Sequence, residues 1–143
     1  NFHVAHIGGA ASTWVNRNPS FRVFDFNEST FELLDYITLF ADIPDANEKG
    51  KLEWKRLYRA SEQFSITDLS PESMLTVLDT ISTLPAAFKS FYYRTTAYGP
   101  LPPPDDTIKK RFLCSISCSQ NADFENCMAV EGNVNNEIID DFH

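Results

Sequence analysis

Side chains able to bind a metal ion or to act as a base are few in this sequence. The three histidines stand at positions 3, 6 and 143. His3 and His6 fall in an apolar run, residues 2–7, that predicts a buried strand. Residues three apart on a strand point to opposite faces, so the two imidazoles cannot chelate one metal ion unless the segment is a helix or a loop. We therefore interpret both as core or surface histidines, and predict no catalytic residue and no metal ligand in the chain.

A glycine-containing loop, residues 8–13, follows that strand. Neither a phosphate-loop lysine nor a GxGxxG spacing accompanies Gly8 and Gly9, so the loop does not indicate nucleotide binding. We interpret the two glycines as a turn whose backbone passes close to another segment of the protein.

Composition and charge limit the classes of function. The 143 residues are 43% hydrophobic and 22% charged, as in a globular domain with a core of its own. The net charge is −8 and no basic cluster offsets it, so a polyanion would be repelled and no nucleic-acid partner is expected. No apolar run reaches the length of about eighteen residues that a membrane span requires.

The hydrophobic period changes along the chain. Residues 21–26 alternate as a half-buried strand does. Residues 31–40 fit a strand or a short helix, and their aromatic and β-branched content favours a strand. Beyond residue 47 the period is helical. One face of the first predicted helix holds Trp54, Leu57, Tyr58 and Ser61.

Ser70-Pro71-Glu72 begins a second predicted helix, because the serine can cap free N–H groups and the proline is tolerated in the first turn. Its buried stripe is Met74, Val77, Leu78 and Ile81. A third helix holds Phe88, Phe91 and Tyr92, an extended proline-rich connector occupies residues 99–104, and two more helices span residues 107–119 and 122–130.

The strands therefore cluster before residue 45 and the helices after it. We predict an α+β fold in three parts: residues 1–45 as closing strands of a sheet, residues 46–130 as a helical C-terminal subdomain, and residues 131–143 as an acidic flexible tail. The chain opens abruptly on a strand-like run, from which we expect it to be a piece of a longer protein.

Three stretches together resemble the acid sphingomyelinase family and its secreted sphingomyelinase-like phosphodiesterase relatives. Ser12-Thr13-Trp14, followed by residues 18–24, is similar to a family segment with an aromatic residue and then Asn-Pro-Gly-x-Arg. Residues 53–73 are similar to a helical pair of the family, and Cys114 and Cys127 are spaced like its last cysteine pair. The resemblance covers about residues 4–130.

Members of that family are calcineurin-like metallophosphoesterases, which use two metal ions, normally zinc, to hydrolyse a phosphodiester. The resemblance implies that residues 1–45 close a metallophosphoesterase α/β sandwich. It also implies a secreted or lysosomal enzyme that acts on sphingomyelin or a related phospholipid or small phosphodiester, with a membrane surface as a further partner.

The family's Gly-His-x-His metal motif does not occur in this sequence. The resemblance therefore implies that two zinc ions are bound by residues outside this chain, in an N-terminal catalytic fragment of the same precursor, and that the isolated chain is inactive. A second hypothesis belongs to another class: a catalytically silent helical subdomain that binds lipid or a partner protein.

The loop at Ser12, Thr13 and Trp14 corresponds to one wall of the substrate site in the family. The resemblance thus implies that Trp14 contacts a choline or other headgroup by ring stacking or cation–π attraction. The alternative for Trp14 is a place in the core.

Three cysteines are ambiguous on count alone. The resemblance pairs Cys114 with Cys127, and leaves Cys118 as an odd thiol or as one half of an intermolecular bond. Pro104 and Ile108 stand where the preceding cysteine pair of the family would fall, so that pair is absent here.

Asn27-Glu28-Ser29 satisfies the N-glycosylation sequon in a turn between two predicted strands, whereas Pro19 blocks the sequon that Asn18 would begin. We expect Asn27 to carry a glycan when the protein is made in a eukaryotic secretory pathway. Treatment with a glycan-releasing amidase should lower the mass of the protein and convert Asn27 to Asp. An unchanged mass would argue against a glycosylating pathway.

Overall fold

Three strands and six helices make up the part of the chain that this computed structural model describes, residues 4–14 and 16–130. The strands are β1 (Ser20–Phe26), β2 (Leu33–Ala41) and β3 (Trp54–Arg59). The helices are α1 (Ile43–Lys49), α2 (Ala60–Phe64), α3 (Pro71–Thr83), α4 (Pro85–Arg94), α5 (Asp106–Ser117) and α6 (Asn121–Ala129). The predicted α+β class is confirmed for these residues.

The strands form one antiparallel sheet in the order β1-β2-β3. The first two make a hairpin with Phe24 opposite Tyr36, and its turn closes through a hydrogen bond from the Phe31 N–H to the Asn27 carbonyl, 2.7 Å. The strands predicted at residues 21–26 and 31–40 are therefore confirmed, and the choice of strand over helix for the second of them was right.

The helix predicted around Trp54, Leu57, Tyr58 and Ser61 is wrong, because residues 54–59 form β3 and pair with β2. Helix α1 ends at Gly50, whose left-handed φ of 63° turns the chain back along the sheet. An irregularity in register at Thr38 and Leu39 then places Trp54 and Tyr58 on opposite faces. An apolar pair at i, i+4 fits one face of a helix. It also fits a bulged strand in which each of the two side chains meets aromatic rings on its own face. The pairing with β2 decides between the two structures.

The strand predicted at residues 2–7 is also absent from the described part of that segment. Residues 4–7 have no regular structure, and residues 2 and 3 lie outside the described residues. A strand needs a neighbour for its backbone N–H and C=O groups, and no described segment pairs with this one.

The core lies between one face of the sheet and the helices that follow it. Tyr36 and Ala60 are buried there together with Ile66 and Leu69, and Phe24, Tyr58, Phe64, Met74 and Val77 pack around them. The opposite face of the sheet, which we call the free face, leaves Phe21, Val23 and Trp54 between 40% and 49% exposed.

The helices predicted downstream of residue 70 are confirmed, with α4 carrying Phe88, Phe91 and Tyr92 and with α5 and α6 close to their predicted bounds. Rings of α4 pack on Phe112 of α5, which lies 5.3 Å from Tyr92 between centroids. A disulfide joins Cys114 to Cys127 and so ties α5 to α6, with 5.8 Å between the two Cα atoms. No helix among the described residues combines the length and the apolar character needed to cross a bilayer.

Helix α3 begins at a hydrogen-bonded cap. The Ser70 hydroxyl accepts the Ser73 N–H at 3.3 Å, and the Asp68 carboxylate accepts the Ser70 N–H at 2.9 Å and the Ser73 hydroxyl at 2.7 Å. These bonds from Ser70 and Ser73 lower the pKa of Asp68 to about 2. The carboxylate therefore stays ionised, and the cap intact, in acidic compartments.

Because the pKa of Asp68 is lower in the folded protein than in the unfolded chain, its stabilising effect is present above about pH 4 and is lost as the pH falls towards about 2. We expect Asp68→Asn to lower Tm near neutral pH and to converge with the wild type at about pH 2. Asp79→Asn, an exposed position on the same helix, is the matched control for thermal unfolding across pH. Parallel pH profiles for wild type and Asp68→Asn would contradict this assignment.

Candidate functional site

The loop predicted to face substrate lies at the start of β1. The Ser20 N–H donates to the Ala10 carbonyl at 2.9 Å and holds the loop against the strand. At Gly9 a Cβ atom would collide with the Ser20 side chain, so only glycine fits, whereas Gly8 faces open space. The close backbone approach predicted for the two glycines is therefore confirmed at Gly9.

Ser12, Thr13 and Trp14 are all exposed on this loop, and the Trp14 side chain reaches 79% exposure. The Trp14 N–H donates to the Ser12 hydroxyl oxygen at 3.0 Å, a local turn that the serine side chain stabilises. The core alternative for Trp14 is thus wrong within this structure. The loop offers an accessible indole face and hydroxyl groups, and its role towards a substrate stays a prediction.

One buried side chain, Asn18, anchors the loop to the rest of the chain. Its amide nitrogen donates to the Ala97 carbonyl at 3.0 Å, its amide oxygen accepts the Ile43 N–H at 3.1 Å, and its own N–H donates to the Thr96 carbonyl at 3.0 Å. Asn18 is 7% exposed. A single residue therefore joins the loop, the first residue of α1 and the segment that follows α4.

The segment after α4 fits closely against the far end of the loop. A Cβ atom on Gly99 would collide with the backbone of Asn16 and Arg17. Asn16, Ala97 and Tyr98 all have left-handed φ values, from 50° to 58°. Such conformations are unfavourable for residues other than glycine and persist only where the surroundings impose them, so the loop has a defined shape at this end.

His6 packs against aromatic rings of the sheet. Its half-buried ring packs 6.2 Å from the rings of both Phe24 and Tyr36. Burial lowers the pKa of His6 and the positive charge of Arg22 lowers it further, so the imidazole favours its neutral form. Within residues 4–14 and 16–130, no group of three or more His, Cys, Asp or Glu side chains is arranged to hold a metal ion.

The structure does not bring the other predicted site residues to this loop. Asn27 lies at the opposite end of β1, where its side-chain oxygen accepts the Ser29 N–H at 2.9 Å and the Thr30 N–H at 3.2 Å. The disulfide of Cys114 and Cys127 belongs to the helical part, and Cys118 is a free thiol. Glycosylation at Asn27 stays a prediction.

Sequence reasoning missed the anchoring role of Asn18 and treated residues 18–20 only as a turn. The sequence did carry a signal for this role. Asn18 stands directly before Pro19 and a strand, and its side-chain amide can satisfy backbone groups that are buried at such a junction. The partners of Asn18 could not be identified in the same way, since Ala97 is 79 residues away along the chain.

Comparison with known sequences gives a consistent set of relatives. The family described as acid sphingomyelin phosphodiesterase C-terminal region matches residues 4–133. The chain is 27% identical over 125 residues to sphingomyelin phosphodiesterase A of Dictyostelium discoideum, covering 87% of this chain and 21% of that protein. It is 34% identical over 82 residues to the human acid sphingomyelinase-like phosphodiesterase 3b, covering 57% and 18%. It is 28% identical over 117 residues to a human cyclic GMP-AMP phosphodiesterase, covering 78% and 25%.

The matches have two properties in common. Each of these three relatives is named a phosphodiesterase, although the named substrates differ. The chain spans between 18% and 25% of their length.

The anchoring role of Asn18 makes a quantitative prediction. Asn18→Ala leaves the Ile43 N–H and the Ala97 carbonyl without their partner, so we expect it to lower the free energy of unfolding by about 1–3 kcal/mol. Asn47→Ala, at an exposed position of α1, is the matched control. Urea denaturation of both variants measures the difference, and equal effects would show that the buried amide does not anchor the loop.

Proposed function

This chain belongs to the acid sphingomyelin phosphodiesterase family, as its C-terminal region, and we propose that it is part of a secreted or lysosomal two-metal enzyme that hydrolyses sphingomyelin or a related phosphodiester. The match over residues 4–133 carries this proposal, because it spans nearly the whole chain. Relatives named for sphingomyelin and for cyclic GMP-AMP support the wider class of phosphodiesters as substrates.

We assign no catalytic step to this chain. The described residues offer no set of side chains suited to a metal ion, and the half-buried His6 packs against aromatic rings instead. In this proposal the two zinc ions are bound in an N-terminal catalytic part of the same precursor. The contribution of residues 4–130 is then to complete the fold and to supply part of the substrate site.

The free face of the sheet supports an upstream partner for this chain. Phe21 and Trp54 meet edge to face at 4.9 Å between ring centroids, and they remain 40% and 46% exposed. Val23 extends the same surface at 49% exposure. An apolar patch of this kind favours burial against another layer, and a second sheet packs on such a patch at a spacing of about 10 Å.

Trp14 is the residue of the loop that we propose to contact the substrate headgroup. Its exposed indole can bind a quaternary ammonium group through its ring face, in the way aromatic rings bind choline. Asn18, four residues further along, fixes the backbone that follows the loop, which limits the ordering of the backbone that headgroup binding would require.

A secreted or lysosomal location is supported by the cysteine chemistry. The bond between Cys114 and Cys127 is of the kind that persists in oxidising compartments. The sequon at Asn27 lies in a hairpin turn in which Asn27 is half-buried and residues 28–30 are exposed.

The test is made on the intact protein, with Trp14→Ala. We expect kcat/KM for sphingomyelin to fall by about 10-fold, the size of effect that a cation–π contact supplies, and the value for a phosphodiester without choline to change little. Phe26→Ala is the matched control, because this half-exposed ring lies at the opposite end of β1. Zinc content and Tm should be the same in all three proteins.

Two results would contradict the proposal. Unchanged turnover of sphingomyelin by Trp14→Ala would remove Trp14 from the headgroup site. Hydrolysis by the 143-residue chain alone, with bound zinc, would overturn the division between a catalytic upstream part and this chain. An intact protein without hydrolytic activity would favour the silent lipid- or protein-binding subdomain instead.

A further inference from the structure

A row of polar side chains crosses the covered face of the sheet. Arg22 of β1 lies directly opposite Thr38 of β2, and Thr38 lies directly opposite Tyr58 of β3. Cross-strand neighbours on one face are about 5 Å apart at their Cβ atoms, so the three side chains are adjacent. Polar groups in this position are unusual, because the same face carries the hydrophobic core.

Two arginines meet at Tyr58. The Arg22 guanidinium donates to the Tyr58 hydroxyl at 3.2 Å and lies over the Tyr36 ring, 4.3 Å from its centroid. Arg94, the last residue of α4, places its guanidinium 5.7 Å from the centroid of the Tyr58 ring. Aromatic faces attract these cations but do not neutralise them.

The cluster has donors without acceptors. Three of the four fully buried, unpaired polar atoms among the described residues lie in it: Arg22 Nε, Arg94 Nε and Thr38 Oγ1. Thr38 is only 5% exposed. A buried polar atom that has lost water without gaining a partner is unfavourable, and the penalty is larger when the group is charged.

Two other arginines of the same sheet do have carboxylate partners. Arg59, on the free face, pairs with both Asp25 and Asp35 at 2.9 Å, and the exposed Arg56 pairs with Glu62 at 3.4 Å. No ion pair among the described residues involves Arg22 or Arg94, in a chain whose acidic residues outnumber its basic ones. Two guanidinium groups beside Tyr58 and the Thr38 hydroxyl thus carry buried polar atoms without a partner, and guanidinium is the side-chain group best suited to bind an oxyanion.

We propose that Arg22, Arg94 and Thr38 form a binding site for an oxyanion, the group that phosphates and carboxylates share. The site lies on the covered face of the sheet, beside Tyr58 and the C-terminal end of α4. The oxyanion comes either from a phosphate compound in solution or from an acidic side chain of residues 131–143, which lie outside the described residues.

Thermal unfolding of the 143-residue chain in inorganic phosphate tests this site, with sodium chloride at equal ionic strength as reference. Tm should rise with phosphate concentration, by about 5 °C at about ten times the dissociation constant. The rise should be lost in Arg22→Gln and in Arg94→Gln, and should persist in the control Arg56→Gln.

Thr38→Val is a second variant that tests the site even if the arginine variants unfold. We expect it to fold, because it preserves the shape and β-branching of the side chain. In chloride it should leave Tm unchanged or raise it, since an unpaired buried hydroxyl is removed. In phosphate it should reduce the rise in Tm.

A second protein distinguishes the two sources of the oxyanion. It carries Glu131→Gln, Glu137→Gln, Asp140→Asn and Asp141→Asn in the full chain. A phosphate response of equal size with and without these changes identifies a free phosphate group as the ligand. A response that appears only in the amide-bearing protein identifies a carboxylate of residues 131–143. Absence of a response from both proteins, or an undiminished response in Arg22→Gln and Arg94→Gln, overturns the proposal.

Discussion

The buried side chain of Asn18 is the constraint on which the arrangement of the candidate site depends. Backbone groups at an irregular junction have no secondary structure to satisfy them, and a buried amide with one donor end and one acceptor end can serve two of them at once. Asn18 does this between Ala97 and Ile43. The loop that carries Trp14, the start of α1 and the segment after α4 consequently have one common point of attachment. The strained φ values at Asn16 and Ala97 are tolerated beside that point.

The elements that the sequence predicts correctly are those whose signals are local. Ser70 and Pro71 specify the start of α3 through capping and a fixed φ, and the alternation of residues 21–26 specifies β1. Strand β3 was missed because its period is interrupted by a bulge and its identity depends on pairing with β2, which begins 21 residues earlier. The strand predicted at residues 2–7 is absent from residues 4–7 for the converse reason. Their composition favours a strand, but no described neighbour supplies the hydrogen bonds.

The candidate site was predictable to a similar extent. Ser12, Thr13 and Trp14 were identified from a resemblance in short motifs, and the exposure of Trp14 followed only from the structure. The roles of Asn18 and Arg22 were not accessible, because Asn18 depends on a contact with Ala97, 79 residues further along the chain, and Arg22 on contacts with Tyr36 and Tyr58 of β2 and β3. Sequence patterns report which faces are apolar, whereas they do not report which distant polar groups meet on those faces.

The arginines on the two faces of the sheet have opposite kinds of partner. Arg59 lies on the free face, where water alone could solvate it, and yet two aspartates pair with it. Arg22 lies on the covered face, where a partner matters most, and only a tyrosine hydroxyl and an aromatic ring meet it. Electrostatic stability alone would favour the reverse assignment, because exposed ion pairs contribute about 0–1 kcal/mol whereas an unpaired buried charge is strongly unfavourable. The proposed oxyanion would supply the negative charge that Arg22 lacks, and Arg94 brings a second guanidinium group to the same tyrosine, Tyr58.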